Sequence, residues 1–229
     1  RSIRPTSVSH LCNMLIGTKF KTVIRRGKYL LFKMQPVGRE SSFELLGHLG
    51  MTGRMYLQSM GQKQRKHAVV VIDLGHQKFV FEDMRYFGRM TLDRSSLELL
   101  GPEPLSDCFN GVTLRASLHH SKQPIKVKLL EQSVVAGIGN IYASEALFRA
   151  GVSPRKAARR LSVCQCSVLV GAIRNTLQEP NKSISPKFFY DENGSKIFDE
   201  ICSLPEYYPY NSETEILQNI EEKLLPYLS

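Results

Sequence analysis

The chain has 229 residues, with 31 Lys and Arg against 21 Asp and Glu, a formal net charge of +10. At 42% hydrophobic residues it can bury a core, which excludes a disordered tail, and no apolar run approaches the ~18–20 residues that span a bilayer. Five cysteines at irregular spacing (Cys12, Cys108, Cys164, Cys166, Cys202), with no CxxC pair, exclude a fully paired disulfide framework. They also supply no compact four-ligand zinc set, so a reducing compartment and no metal or other cofactor are expected. The first residues alternate basic and polar side chains without an apolar stretch, so no secretory signal is expected.

The charge is unevenly placed. Residues 180–229 hold four basic and nine acidic residues, which leaves 27 basic and 12 acidic residues in 1–179, a body at +15. Such a body attracts polyanions, because each Lys or Arg that meets a phosphate releases condensed counterions.

In chain order, residues 28–92 read as strands. Tyr29-Leu30-Leu31-Phe32-Lys33-Met34 is an apolar run between Gly27 and Gln35-Pro36, and residues 43–46 form a second. Val69-Val70-Val71-Ile72 and Phe79-Val80-Phe81 flank Gly75-His76-Gln77, the pattern of an antiparallel hairpin. Gly101-Pro102-Glu103-Pro104-Leu105 reads as linker. Thereafter the period becomes helical. Residues 125–131 and 141–150 predict helices, the second stopped by Gly151, and Ser153-Pro154 predicts an N-cap with proline at the first helical position. Ser162-Val163-Cys164-Gln165 is a capping-box pattern, followed by Cys166, Leu169, Val170, Ile173 and Leu177 on one helical face. Strands first and helices later predict an α+β chain.

The motif richest in chemistry is Gly137-Ile138-Gly139-Asn140-Ile141-Tyr142-Ala143, two glycines and an Asn between two predicted helices. With Asn140 as N-cap, the free N–H groups of the second helix and its dipole would make an anion site. The residues alone equally allow an ordinary capped corner between helices.

Residues 125–162 closely resemble the helix–two-turn–helix region of bacterial formamidopyrimidine-DNA glycosylases. The upstream motifs follow the same family's order: Arg26-Gly27-Lys28-Tyr29-Leu30, Gly47-His48-Leu49-Gly50-Met51-Thr52-Gly53, Lys66-His67, Asp83-Met84-Arg85-Tyr86-Phe87-Gly88 and Gly101-Pro102-Glu103-Pro104-Leu105. The resemblance spans about residues 1–179. It implies base excision: a damaged purine extruded from duplex DNA, a Schiff base at the sugar C1′, then strand cleavage at the abasic site. By resemblance Lys28 is the lysine that assists catalysis near the phosphate and abasic sugar. Met51, Arg85 and Phe87 are the wedge that fills the gap left by the flipped base. His48, His67, Lys122, Lys126, Asn140 and Tyr142 are the remaining candidate DNA contacts.

Three features depart from the family. Its opening Pro-Glu-Leu-Pro-Glu does not occur, so the nucleophilic proline, its glutamate and the first helix are expected to be missing and catalysis impaired. Position 86 is Tyr86 where the family usually has a second arginine, and the family's C-terminal zinc finger is expected to be absent. In its place, residues 184–229, from Phe188-Phe189-Tyr190-Asp191-Glu192-Asn193-Gly194 to Tyr207-Tyr208-Pro209-Tyr210, resemble the start of the histidine-specific, S-adenosylmethionine-dependent methyltransferase family. No glycine-rich cofactor loop accompanies it, so no methyl transfer is expected.

The resulting expectation is a partial antiparallel β-sandwich over 1–92, a linker over 93–106, a helix–two-turn–helix domain over 107–179, and an unrelated acidic, helical tail over 180–229. The expected function is a glycosylase and abasic-site lyase acting on oxidised purines in damaged or abasic double-stranded DNA. It would act as a monomer, away from membranes, in the cytoplasm near the nucleoid. Two other readings stay open: a non-catalytic remnant that binds damaged DNA, and a recombined fragment without activity of its own.

Overall fold

Seven strands make two antiparallel sheets. The first has the order β1 (Thr18–Arg26), β2 (Tyr29–Pro36), β3 (Phe43–His48), β7 (Arg89–Thr91), and the second the order β4 (Arg54–Ser59), β6 (Gln77–Glu82), β5 (Ala68–Asp73). These come from a computed structural model, which describes residues 2–179 and residues 196, 200–204, 212 and 215. The residues divide into two units, Arg1–Glu179 and Pro180–Ser229. The methyltransferase-like tail expected over 180–229 lies largely outside the described residues.

The predicted apolar runs are the strands β2, β3, β5 and β6, and Gly75, at φ +88°, turns the β5–β6 hairpin with Leu74 N donating to Gln77 O at 2.9 Å. Phe32, Met34, Leu45, Phe79, Phe81 and Met90 pack into one core, closed by Leu11 from helix α1 (Val8–Leu15). The sequence reading did not anticipate α1 or β1, and within the strand region 28–92 it did not single out β4 or β7. β1 carries Lys19, Lys21, Arg25 and Arg26 and is mostly solvent-facing, as suits an edge strand, so its polarity hides it. The expected linker over 93–106 contains one short turn of helix, α2 (Ser95–Glu98).

The helical half has its own core around Phe109, Leu114, Ile125, Leu129, Ile138, Leu147, Leu169 and Ile173. Helix α3 (Gly111–Leu118), also not anticipated, starts at a capping box of Asn110 and Thr113. Helices α4 (Ile125–Leu130) and α5 (Asn140–Arg149) sit within a residue of the predicted pair, and Gly151, at φ +63°, ends the second. The Ser162–Gln165 capping box forms with both bonds and opens α6 (Val163–Gln178). Arg174 of α6 donates to the carbonyls of Ser106 (2.7 Å) and Phe109 (3.0 Å), so this helix grips the start of its own domain.

Two local expectations are corrected. Ser153-Pro154 opens no helix: Lys156 N donates to Ser153 O at 3.0 Å, which closes a turn, and a 3-10 turn follows at Ala158–Arg160. The main chain there pairs with residues 121–125 instead of coiling, which withdraws the donors a helix would need. The N-cap of α5 is Gly139, not Asn140, which is the first helical residue.

Candidate nucleic-acid interface

Pairing register puts one residue from each strand of the first sheet in a row at its end: Arg26 opposite Tyr29, Tyr29 opposite His48, His48 opposite Arg89. The β1–β2 turn, Gly27-Lys28, projects beyond that row into the helical half. Gly27 is at φ +56°, and a Cβ there would lie 3.3 Å from both Ala136 Cβ and Gly137 N, so the two backbones meet as closely as glycines allow. Lys28 Nζ reaches the α5 N-terminus, 3.8 Å from where a Cβ on Gly139 would stand. No side chain caps α5, and the first N–H groups of a helix have no partner within it. An ammonium and a helix N-terminus thus converge from two different halves of the fold. Partial burial lowers the Lys28 pKa from its ordinary value.

This junction is clamped by residues the sequence reading did not single out. Glu103 Oε1 accepts from Arg26 Nη1 at 2.6 Å and from Gly27 N at 2.7 Å, and Arg26 Nη2 also donates to Gly101 O at 2.6 Å. Gln132 Oε1 accepts from Gly137 N (2.9 Å), and its Nε2 donates to Ile138 O (3.0 Å). Ala136 N donates to Pro102 O and Gly101 N to Gln132 O. Arg26 and Glu103 lie inside motifs quoted above, but their meeting across 77 positions has no local signal.

His48 is half-buried beside Tyr29, their rings 4.9 Å apart, and its Nδ1 accepts from Gly50 N at 3.1 Å. Burial first, then the positive charges of Lys28 and Arg89, push its pKa below the ordinary histidine value. A cavity of about 320 Å³ opens beside it, lined by Arg4, Tyr29, His48, Phe87, Arg89 and Asp93 among others.

The wedge candidates lie together on two loops. A Cβ on Gly50 would lie 2.7 Å from Gly88 N, so the loops touch backbone to backbone, and Arg85 Nη1 stands 3.8 Å from Met51 Sδ. Met51 is 71% exposed and Phe87 56%. Water-facing apolar side chains on tight turns need an organiser, and Asp83 supplies it. This wholly buried carboxylate accepts from Gly88 N (2.7 Å), Thr52 Oγ1 (2.8 Å), Arg85 N (3.2 Å) and Phe87 N. Burial opposes its charge, but these donors outweigh that and hold its pKa below the ordinary value. Tyr86, between Arg85 and Phe87, is held at φ +57°, an unusual conformation for a side-chain-bearing residue.

The other candidates are placed as follows. Asn140 is exposed at the first position of α5. Tyr142, half-buried, packs against the helical core. Lys126 stands in the first turn of α4, and Lys122 is exposed just before it. His67 is half-buried, and its carbonyl accepts from Asp83 N at 3.0 Å, next to the wedge loop. Among the described residues, no group of three or more His, Cys, Asp or Glu could hold a metal ion, and no helix is long and apolar enough to cross a membrane.

The same two halves are matched separately by known families. The formamidopyrimidine-DNA glycosylase N-terminal domain matches residues 1–90, and the formamidopyrimidine-DNA glycosylase H2TH domain matches residues 100–185. A third match, to the SAM-dependent histidine-specific methyltransferase family, covers residues 169–228. The formamidopyrimidine-DNA glycosylase of Desulfitobacterium hafniense (strain DSM 10664 / DCB-2) is 41% identical over 189 residues, which cover 79% of this chain and 67% of the relative. That of Carboxydothermus hydrogenoformans is 38% identical over 175 residues, covering 76% and 64%. Among solved structures, a complex of the LlFpg protein with a THF-DNA and an inhibitor superposes with a TM-score of 0.71 at 31% identity, over 78% of this chain and 67% of that one. The Lactococcus lactis Fpg in complex with an abasic site containing DNA gives 0.67 at 31% identity, over 74% and 64%. With both halves matched in order and two thirds of a relative covered at 41% identity, the chain belongs to the formamidopyrimidine-DNA glycosylase family.

Proposed function

We propose that this chain works in base-excision repair: it grips duplex DNA at a damaged or abasic nucleotide, removes oxidised purines and cuts the strand at the abasic site. The observation that carries the reading is the meeting of Lys28 Nζ with the uncapped N-terminus of α5, on the same sheet end as His48 and Arg89. An amine and a row of free N–H groups at one point suit a backbone phosphate flanking an open sugar. The exposed Met51, Arg85 and Phe87 suit the gap that an extruded nucleotide leaves: two apolar bodies replace the lost stacking, and a guanidinium reaches the orphaned partner base. Known structures of relatives hold abasic-site DNA.

In this role Lys28 stands beside the sugar. Its lowered pKa raises the fraction of free amine at a given pH, and a free amine can add to the C1′ aldehyde of an abasic sugar, releasing water as the imine forms. His48, held neutral, donates from Nε2 without adding another charge to the cluster.

The test uses a duplex with one oxidised purine and a second with one abasic site. The expected result is base release from the first and borohydride-trappable adduct on the second, both reduced in Lys28→Ala. A chain that binds both duplexes no better than an undamaged one would overturn the reading.

A further inference from the structure

Beside α4, residues 121–126 and 154–159 run antiparallel. Pro124 bridges Ala157, Ala158 N donates to Gln123 O at 2.8 Å, and Ile125 N donates to Lys156 O at 2.8 Å. Arg159 N donates to Ser121 O at 2.9 Å and Lys126 N to Pro154 O at 3.3 Å, which brings Lys122 and Lys126 beside Arg155 and Arg159. Around the small Pro124/Ala157 pair, Lys122, Arg155 and Arg159 are exposed and Lys126 is half-buried. Ile125 and Ala158 beside them are fully buried, so the crossing turns its apolar residues inward and its exposed cations toward water. Neither residues 119–130 nor residues 151–165 include an Asp or Glu. Among the described residues the side chains of Lys122, Lys126, Arg155 and Arg159 make no hydrogen bond or ion pair, whereas nearby Lys128 pairs with Glu131 and Lys156 donates to Gln165. Like charges gathered at one place repel, so the arrangement weakens the fold unless an anion covers it.

We propose that Lys122, Arg155 and Arg159 form a second phosphate-contacting site, which holds duplex DNA flanking the nucleotide at the Lys28–α5 site. The inference rests on the function proposed above. Continuity names the partner: Lys126 joins the ribbon to α4, and α4 leads through Gly137 to the α5 N-terminus. Over the three residues from Lys122 to the start of α4 the chain can reach up to ~10 Å, about three base-pair steps of duplex. The ribbon therefore lengthens the footprint instead of doubling one contact.

The experiment uses the whole chain, a short abasic duplex that ends beside the lesion, and one extended by about one helical turn, ~10 base pairs, on each side. Binding is titrated against salt for the wild type and for the double variant Arg155→Gln, Arg159→Gln, both exposed positions. The expected result is that on the extended duplex the variant's slope of log K against log salt falls by about 1.8, two phosphates' worth. The affinity lost between 50 and 200 mM salt then shrinks about twelvefold. On the short duplex the two proteins should match, and Arg155→Lys with Arg159→Lys should restore the wild-type slope, because a phosphate accepts any point charge. An unchanged slope on the extended duplex overturns the proposal and leaves duplex binding itself standing. Equal losses on both lengths overturn it as well. So does a variant that loses only binding to single-stranded RNA or to an acidic polypeptide. A wild type that binds neither duplex overturns the proposed function and the second site with it.

Discussion

Replacing Asp83 by Asn removes one charge and one acceptor from the buried point on which the wedge loops hang. The amide oxygen can keep only one side of the carboxylate's work. Its best choice faces Gly88 N, the shortest bond at 2.7 Å. The amino group then faces Thr52, whose hydroxyl can rotate to accept, and Arg85 N, which cannot. A buried donor left without an acceptor costs about 1–3 kcal/mol, and the surviving bonds, no longer charge-assisted, each lose about 1 kcal/mol. The sum is about 3–5 kcal/mol, against a total stability of about 5–15 kcal/mol for a domain of this kind. The variant should therefore fold, with a lower melting temperature and faster hydrogen exchange at the Arg85 and Gly88 amides. Because Met51, Arg85 and Phe87 are displaced together, the preference for abasic over intact duplex should fall more than binding to intact duplex. The sign with pH follows from the lowered pKa: the carboxylate's contribution is present above its unfolded value and lost as pH falls through the folded one. The gap between wild type and variant should thus close on acidification. Unchanged amide exchange with unchanged discrimination would refute the organising role of Asp83.

The remaining expectations are narrower. Asn140→Ala should weaken abasic and undamaged duplex alike by about 1.5–3 kcal/mol, a charge-assisted contact, with little effect on melting because Gly139 and not Asn140 caps α5; a selective loss on abasic duplex in a binding titration would contradict this. Phe87→Ala and Met51→Ala should leave the unfolding free energy within about 0.5 kcal/mol of wild type, since both side chains face water, while reducing abasic discrimination. His48, neutral in the fold, makes stability rise with pH between its lowered folded pKa and about 6.5, so melting curves of His48→Asn should be flatter than wild type between pH 5.5 and 7. Gly27→Ala should cost at least about 1–2 kcal/mol through its positive φ, and should also weaken phosphate binding by pushing Lys28 away from Gly139; equal melting and binding would count against the close approach of the two backbones.

The parts of this molecule that sequence reveals are those governed by short-range chemistry. The apolar runs of β2, β3, β5 and β6 and the Ser162–Gln165 capping box each carry their own signature within a few residues. β1 does not, because an edge strand facing water can be written in Lys, Thr and Arg. Asn140 looked like the cap because Asn is a strong capping residue, but Gly139 adopts the extended cap conformation and shifts the helix by one position. Lys28, His48 and Asn140 carry a family likeness as separate motifs. Only the folded chain shows that Lys28 reaches Gly139, and only there does Glu103 find Arg26 and Gly27. Asp83 shows the same limit: next to Glu82 at the end of an apolar strand, it gives no hint in sequence that it, and not its neighbour, is buried under four donors.

The grip of Arg174 on the carbonyls of Ser106 and Phe109 sets an order in time. The sheet half closes its core with residues up to Met90, so it can form while the rest is still being made. The helical half cannot, because α6 supplies Cys166, Leu169, Val170 and Ile173 to a core begun at Phe109. At roughly 5–20 residues per second, the stretch from residue 100 to the end of α6 occupies a ribosome for about 4–16 s. Throughout that interval the glycine turn that meets Lys28 has no finished domain behind it, and the apolar faces of α3, α4 and α5 stand open to chaperones and proteases. Chains stalled before α6 should accordingly be cut by protease in the helical half and spared in the sheets, and release of α6 from the exit tunnel should end that sensitivity in one step.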